Sequence, residues 1–444
     1  MTGPPSIAVV VLDTLRYDMF AEEFDWLEGM WFENAYSTSH WTVPAHGSLF
    51  TGLYPSENGV HSQSQTLDCE QPTIAERLQD EGYRTTKYTA NLNIHTWDDW
   101  DRGFMENIGP NELQSYYETE TVDFTRHMST SNKSGLPLYL DLFKECIYSD
   151  CSTVYSLLDG VRRYIESSRD GGARSVLRRL EGRSVSEHEF LFVNIMDAHV
   201  PYFPPEPYRR INHEVTANNW EPFVDGISNL SEVTTAYEDA VDFLADKYQE
   251  IYQKLDSQFD YVITLSDHGE MLGEYGMIEH AYGVFPQLPH VPLVISGDNI
   301  PNRSVKTPVS LLDVHATIGD LAGISLNSRG QSLLDDPTPK DRLVEYHGFL
   351  PWLRETFLEQ GVSEQRYGEL NEPLRGILTT DGVYAFETHE QGFLTTADNN
   401  EIDLSTKQER LKNLVENLNV RDVNQDTASP DDAVLDQLED LGYA

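Results

Sequence analysis

The sequence predicts an α/β protein, with a central, mostly parallel sheet flanked by helices and a small antiparallel sheet towards the C-terminus. Three observations carry this. Ser6–Leu12 (SIAVVVL), Phe190–Met196 (FLFVNIM) and Asp260–Leu265 (DYVITL) are short, nearly continuous apolar runs, the pattern of strands buried on both faces of a parallel sheet. Tyr237, Ala240, Val241, Leu244, Tyr248, Ile251, Tyr252 and Leu255 recur at spacings of three and four. They predict a long amphipathic helix that feeds directly into DYVITL, the helix–strand step of α/β proteins. Gly376–Thr380, Val383–Thr388 and Gly392–Thr396 are strand-like runs separated by Asp-Gly and Gln-Gly, as in a small antiparallel sheet.

In chain order, the first strand stops at Asp13-Thr14-Leu15-Arg16, where charge first appears. Thr73–Gln79 begins a helix that ends near Gly82. From about Asn107 to Glu189 the chain mixes Ser, Gly and charge with amphipathic pieces such as Leu138–Ile147, and reads as an insertion that caps the site. FLFVNIM stops at Asp197-Ala198-His199, and DYVITL at Ser266-Asp267-His268-Gly269. In open α/β sheets ligands sit outside the carboxyl ends of strands, so three such ends predict acids and imidazoles converging on one rim. Pro292–Ser296 reads as a further strand, and Asn327–Lys340, rich in Ser, Asp and Pro, as a linker. This divides the chain into a catalytic domain over residues 1–330 and a smaller α+β unit over 341–444. In the latter, Glu409–Leu418 closes as a helix and the acidic Asp422–Asp432 connects to a last short helix.

Composition narrows the function. The chain has 444 residues, 39% hydrophobic and 11% aromatic, enough for a substantial core. Its 74 acidic residues against 31 basic ones give a net charge of −43. That excludes the basic surface needed by nucleic-acid binders and disfavours anionic membranes. Nine of the basic residues are lysine, and the acid is spread over the whole chain. This reads as a halophilic, salt-adapted surface of the kind expected in a halophilic archaeon, because molar salt screens self-repulsion. An acidic coat for a basic partner and calcium decoration are the competing readings. Cys69, Cys146 and Cys151 read as ordinary thiols rather than a disulfide framework. No leader-like segment or apolar span is visible, so the expected compartment is the cytoplasm.

The chemistry concentrates in Ser39-His40-Trp41-Thr42-Val43-Pro44-Ala45-His46-Gly47, followed by Ser48-Leu49-Phe50-Thr51-Gly52. Pro44 fits a first helical turn and Gly52 a helix end. Thr42 is thus at or just before a helix N-terminus, where free N–H groups favour an anion. Its hydroxyl is either an N-cap or a nucleophile.

In order, the strand into Asp13, the block TVPAH…LFTGLYPSENGV, Gly82-Tyr83-Arg84-Thr85 leading to Asn91, Asp197-Ala198-His199-Val200-Pro201-Tyr202, ITLSDHGEMLGEYG, His280 and His290-Val291-Pro292-Leu293 resemble the sulfatase family of the alkaline phosphatase superfamily. The resemblance covers nearly the whole chain and implies an alkaline-phosphatase-like sheet. It places Asp13, Asp267 and His268 on metal-ligand positions, a donor set suited to one divalent cation such as Ca²⁺, Mn²⁺, Mg²⁺ or Zn²⁺. Thr42 falls on the nucleophile position, which also touches the metal. His46, Asn91, His199 and His280 fall on positions that hold the oxyanion or protonate the leaving oxygen. Asp197 is a candidate for a second metal site.

Four departures matter. The family's nucleophile is a Cys or Ser converted to formylglycine, whereas Thr42 carries an extra methyl group that blocks the conversion, so no formylglycine is expected. Asp13 is followed by Thr14 instead of a second acid. The motif's Arg is His46, and two usual Lys positions are Asn91 and His280. The resemblance therefore implies a metal-dependent hydrolase of small-molecule or glycan sulfate or phosphate esters. A phosphodiesterase or phosphoryl transferase on the same site is one alternative, and a non-catalytic binder of sulfated or phosphorylated glycans is another. His40, His61 and His95 read as surface or structural, Glu270 as a hydrogen-bonding partner of the site loop, and Trp41, Trp97 and Trp100 as core.

Overall fold

A computed structural model of the chain describes residues 3–114, 122, 136–148, 151–153, 156, 170–183, 185, 188–213, 217–224, 226–397 and 403–423. Its main element is an eight-stranded sheet. In spatial order the strands are Arg303–Val305, Met30–Phe32, Leu293–Gly297, Tyr261–Leu265, Ile7–Leu12, Glu189–Ile195, Arg84–Thr89 and Glu106–Ile108. Leu293–Gly297 runs antiparallel to both its neighbours, and the other pairings are parallel. The α/β class, the mostly parallel sheet and the C-terminal antiparallel sheet are all observed.

Burial explains why the predicted strands are strands. Every residue of Ile7–Leu12 is buried. Val9 and Val11 join the core on one face, with Val43, Leu49 and Phe50 of helix Thr42–Thr51. Ala8, Val10 and Leu12 join the core on the other, with Tyr237, Leu244 and Tyr248 of helix Leu230–Asp256. A central strand with no solvent face has no use for alternating polarity, so it reads as a continuous apolar run. The register then fixes the rim. Leu12 pairs with Ile195 and Val11 with Leu265, so the three central strands end level and their following residues share one edge.

The second sheet holds Arg342–Tyr346, Leu374–Leu378, Tyr384–Thr388 and Gly392–Thr395 in that order, all antiparallel. It packs on the first unit through Tyr384, whose ring lies 5.2 Å from that of Tyr36 and whose hydroxyl donates to Val284 O at 2.8 Å. The expected linker is tied down instead of free. Arg329 pairs with Glu57, Gln331 N donates to Asp313 Oδ1 at 2.8 Å, and Leu333 is fully buried. The segment beginning at Asn107 first adds the edge strand Glu106–Ile108 and helix Pro110–Gln114. Within the expected insertion, helix Leu136–Tyr148 is present, but most of the remainder, and the acidic C-terminal connection and last helix beyond residue 423, lie outside the described residues. The three cysteines are free thiols. Among the described residues no helix is long and apolar enough to cross a membrane.

One packing detail predicts a pH effect. Gly52 closes helix Thr42–Thr51 at φ +70°, and a Cβ there would meet the His315 ring at 2.5 Å. His315 is buried with neither ring nitrogen hydrogen-bonded, and burial pushes its pKa down to about 4. The unfolded ring, with a pKa near its ordinary 6.5, takes a proton first. Its contribution to stability is therefore present above pH 6.5 and is lost as pH falls through about 4, at up to about 1.4 kcal/mol per pH unit. Urea midpoints at neutral and mildly acidic pH should differ less in His315→Leu than in the wild type, and equal differences would contradict this account.

Candidate active site

The strand ends build the site. Asp13 N donates to Ile195 O at 2.9 Å, which carries Asp13 just past the edge of the sheet. The neighbouring strand delivers Ser266-Asp267-His268. Ser266 Oγ accepts from Leu15 N at 3.1 Å and donates to His268 O at 2.7 Å, stapling the two loops together. Thr14, at φ +60°, donates its N–H towards Asp267 Oδ1 at 3.4 Å, and His268 N donates to the same oxygen at 3.0 Å. Gly269 lets the loop pass against Gln287, whose carbonyl oxygen would sit 2.1 Å from a Cβ.

Thr42 is the first residue of its helix. Trp41 occupies the capping position and contributes no side-chain cap bond. Of the two readings of the Thr42 hydroxyl, N-cap or nucleophile, the first does not hold, because the helix begins one residue earlier than a Thr42 cap requires. Thr42 Oγ1 lies 3.2 Å from His268 Nε2 and 3.3 Å from Asn91 Nδ2. Asn91 Nδ2 also donates to Asp13 Oδ2 at 2.9 Å, and Asn194 Nδ2 donates to that oxygen at 3.0 Å.

Two amides thus satisfy one oxygen of Asp13 and leave Oδ1 with no hydrogen-bond partner. Asp267 Oδ2 is likewise unpartnered. These two oxygens lie 3.7 and 3.6 Å from His268 Nε2, and all three residues are buried. Asp13, Asp267 and His268 are the cluster among the described residues whose ligand atoms all lie within 4.8 Å of one another. Burial and the neighbouring Asp13 push the Asp267 carboxyl well above the usual range, and burial and nearby imidazoles push His268 well below. Orphaned buried oxygens are costly unless something pairs with them. A hard or borderline cation fits this donor set.

The remaining predicted residues surround the cluster. His46, one turn after Thr42, is fully buried against Phe50 and Phe192. Its Nδ1 bonds Thr42 O at 2.9 Å and lies 3.5 Å from Asp267 Oδ2. Burial lowers its pKa to about 4, so the ring is neutral. The rings of His199 and His268 lie 5.0 and 4.6 Å from that of His280. His280 Nδ1 is 3.1 Å from Glu270 Oε1, and Glu270 Oε2 accepts from the Tyr202 hydroxyl at 2.9 Å. Asp197 points elsewhere. It accepts from Ala173 N at 2.8 Å, at the start of helix Ala173–Glu181, and takes no part in a second metal cluster among the described residues. His290 is stacked between Tyr17 and Tyr36.

Sequence reasoning missed Asn194, whose only signal is a polar residue inside an apolar strand. It also missed the Glu270–His280 pair. Of the two readings of His40, surface or structural, the structure shows the structural one. His40 is buried, its Nδ1 bonding His280 O at 2.7 Å. Trp100 is core, donating to Gln65 O at 2.7 Å, and Trp97 stacks on Trp352.

The fold is an α/β sheet with this buried Asp-Asp-His cluster at the rim formed by its central strands. The sulfatase family model matches residues 17–324, and the chain belongs to the sulfatase family. It is 22% identical over 406 residues to the uncharacterized sulfatase YidJ of Escherichia coli (strain K12), covering 82% of this chain and 77% of that one. It is 26% identical over 372 residues to a choline-sulfatase of Rhizobium meliloti (strain 1021), covering 73% and 69%. Among solved structures, the phosphonate monoester hydrolase SpPMH from Silicibacter pomeroyi superposes with a TM-score of 0.61 at 15% identity, covering 93% of this chain and 94% of that one. A protein in the alkaline phosphatase superfamily from Vibrio parahaemolyticus superposes at 0.55 and 14% identity, covering 100% and 90%. The chain is thus a sulfatase-family hydrolase by descent, and the two solved structures share its fold.

Proposed function

We propose that this chain is a metal-dependent hydrolase of sulfate or phosphate esters in which Thr42 is the nucleophile. The observation that carries the reading is the Thr42 hydroxyl, lodged between His268 and Asn91 beside two unpartnered carboxylate oxygens. Asp13, Asp267 and His268 would hold one divalent cation, with Thr42 touching it. Such an ion supplies Lewis acidity, lowering the pKa of the hydroxyl and balancing charge on the transferring group.

The chain's own residues do the rest. The helix N-terminus directs its free N–H groups and dipole towards an anionic ester. Asn91 holds Asp13 and donates to the Thr42 oxygen, and His46 fixes the first helical turn through the Thr42 carbonyl. Thr42 Oγ1 releases its proton to solvent and attacks sulfur or phosphorus in line, and the bond to the leaving alcohol breaks. His280, oriented by the 3.1 Å contact of its Nδ1 with Glu270 Oε1, gives that alcohol its proton. Burial and His280 itself hold His199 below its ordinary value, which suits a neutral hydrogen-bonding role. Water then cleaves the Thr ester and restores the hydroxyl.

A Thr ester is cleared without the formylglycine hydrate, by attack on sulfur or phosphorus, which keeps the phosphodiesterase and phosphoryl-transfer reading in play. Turnover of aryl sulfate, aryl phosphate and aryl phosphodiester substrates with added Ca²⁺, Mn²⁺, Mg²⁺ or Zn²⁺ decides between them. Hydrolysis of a monoester is the expected result. Faster diester turnover favours the alternative, and anion binding without turnover of any substrate favours a binder and rejects the enzyme.

We also propose that the acidic exterior is salt-adapted. Raising KCl from about 0.1 M to about 2 M, where the Debye length falls below about 3 Å, should raise the melting temperature. A flat or falling melting temperature would reject the adaptation.

A further inference from the structure

A cleft adjoins the proposed centre. Trp41, the residue before Thr42, His280, Leu350 and Leu353 line it. Its enclosed space measures about 30 Å³, and about 400 Å³ when the open solvent at its mouth is included. Glu279 also lines it, and that side chain is otherwise hard to account for. Glu279 is 5% exposed, held at φ +58°, and its carboxyl makes no hydrogen bond or ion pair with any described residue. A buried carboxyl left unpaired is destabilising unless a ligand pairs with it.

The sign of the surroundings selects the ligand. No Lys or Arg lines the cleft among the described residues, and burial lowers the pKa of His40 to about 3, so it is neutral. The cleft's other polar lining is Ser62, Asn219 and His280, and His280 is already paired with Glu270. Burial, and after it the carboxylates of Glu270 and Glu221, hold the Glu279 carboxyl well above the usual carboxylate range. A cation seated against the unpaired Glu279 carboxyl would displace its proton to solvent and pair with the carboxylate. A polyanionic glycan finds no Lys or Arg among the described lining residues. A compact skeleton finds an apolar wall in Trp41, Leu350 and Leu353.

We propose that this cleft is the leaving-group subsite and that Glu279 selects esters of an alcohol bearing a positively charged nitrogen. The proposal rests on the hydrolase reading above for the identity of the leaving group, but its test is a binding measurement that needs no turnover. The probes are three near-isosteres titrated calorimetrically into the metal-loaded full chain: cyclohexylmethylammonium, cyclohexylmethanol and cyclohexanecarboxylate. A charge-assisted contact in a buried site predicts that the cation binds about tenfold or more tighter than the neutral probe, with the anion weakest. In Glu279→Gln the preference for cation over neutral should vanish. Should that variant not fold, the three-probe order in the wild type decides by itself. Equal binding of cation and neutral probe, tighter binding of the anion, failure of the cation to bind, or a preference that survives in a folded Glu279→Gln would each overturn the proposal. Retained cation preference with no ester hydrolysis would sink the hydrolase reading and leave the cation-selective cleft standing. Hydrolysis with no cation preference would do the reverse.

Discussion

Thr42→Ala is expected to lower ester turnover by on the order of 10³-fold or more, the scale seen when a covalent nucleophile is removed. The substitution deletes the hydroxyl and the γ-methyl group from a fully buried site and leaves the helix intact, since Thr42 is the first helical residue and not its cap. Stability should fall by no more than about 1–3 kcal/mol, the cost of losing the hydroxyl's hydrogen bonds. Circular dichroism melting separates that effect from the kinetic one. Thr42→Ser keeps the oxygen and should retain measurable turnover. Alanine activity close to wild type would remove Thr42 as nucleophile whatever the metal does.

The second large effect concerns the cation. Asp267→Asn combined with His268→Ala removes two of three members of the cluster. It should abolish stoichiometric metal binding, read by elemental analysis after dialysis, and turnover with it. Unchanged metal content would reject the ligand assignment. Asp267→Asn alone carries a more diagnostic signature. Without metal, Asp13 and Asp267 are buried like charges, and the Asp267 carboxyl is pushed up by that proximity and by burial. Removing one charge should leave the metal-free protein as stable as the wild type or more so. With saturating metal the order should reverse, because a ligand at about 100 times its Kd adds about 2.7 kcal/mol to the wild type and little to the variant. Melting curves that do not cross on adding metal would contradict the assignment.

Much of this site is legible in the sequence because it is built from strand ends. Buried parallel strands announce themselves as apolar runs, and the first charge after each run marks the rim. That logic finds Asp13, Asp267 and His199. It cannot tell Asp197 from Asp13, since both follow a strand. Only the path of the chain through Gly171 and Gly172, which brings the start of a helix over Asp197, separates them. The strand Arg342–Tyr346 escapes notice for another reason. Its Arg342 and Glu345 are buried polar residues, satisfied by Asp313 and Ser56 from distant segments. Charge in a sequence reads as solvent exposure unless the partner is known. The same holds for Glu270, whose bond to His280 closes a ten-residue loop, and for His40, whose surroundings come from residues 280 and 346.

The account stands on Thr42 becoming covalently esterified. Rapid acid quenching during turnover of an activated aryl ester, followed by peptide mass spectrometry, tests this directly. The peptide containing Thr42 should gain the mass of one sulfuryl or phosphoryl group, the label should map to the threonine oxygen, and it should be absent from Thr42→Ala. A label on another residue, or steady turnover with no labelled peptide at any quench time, would contradict the mechanism.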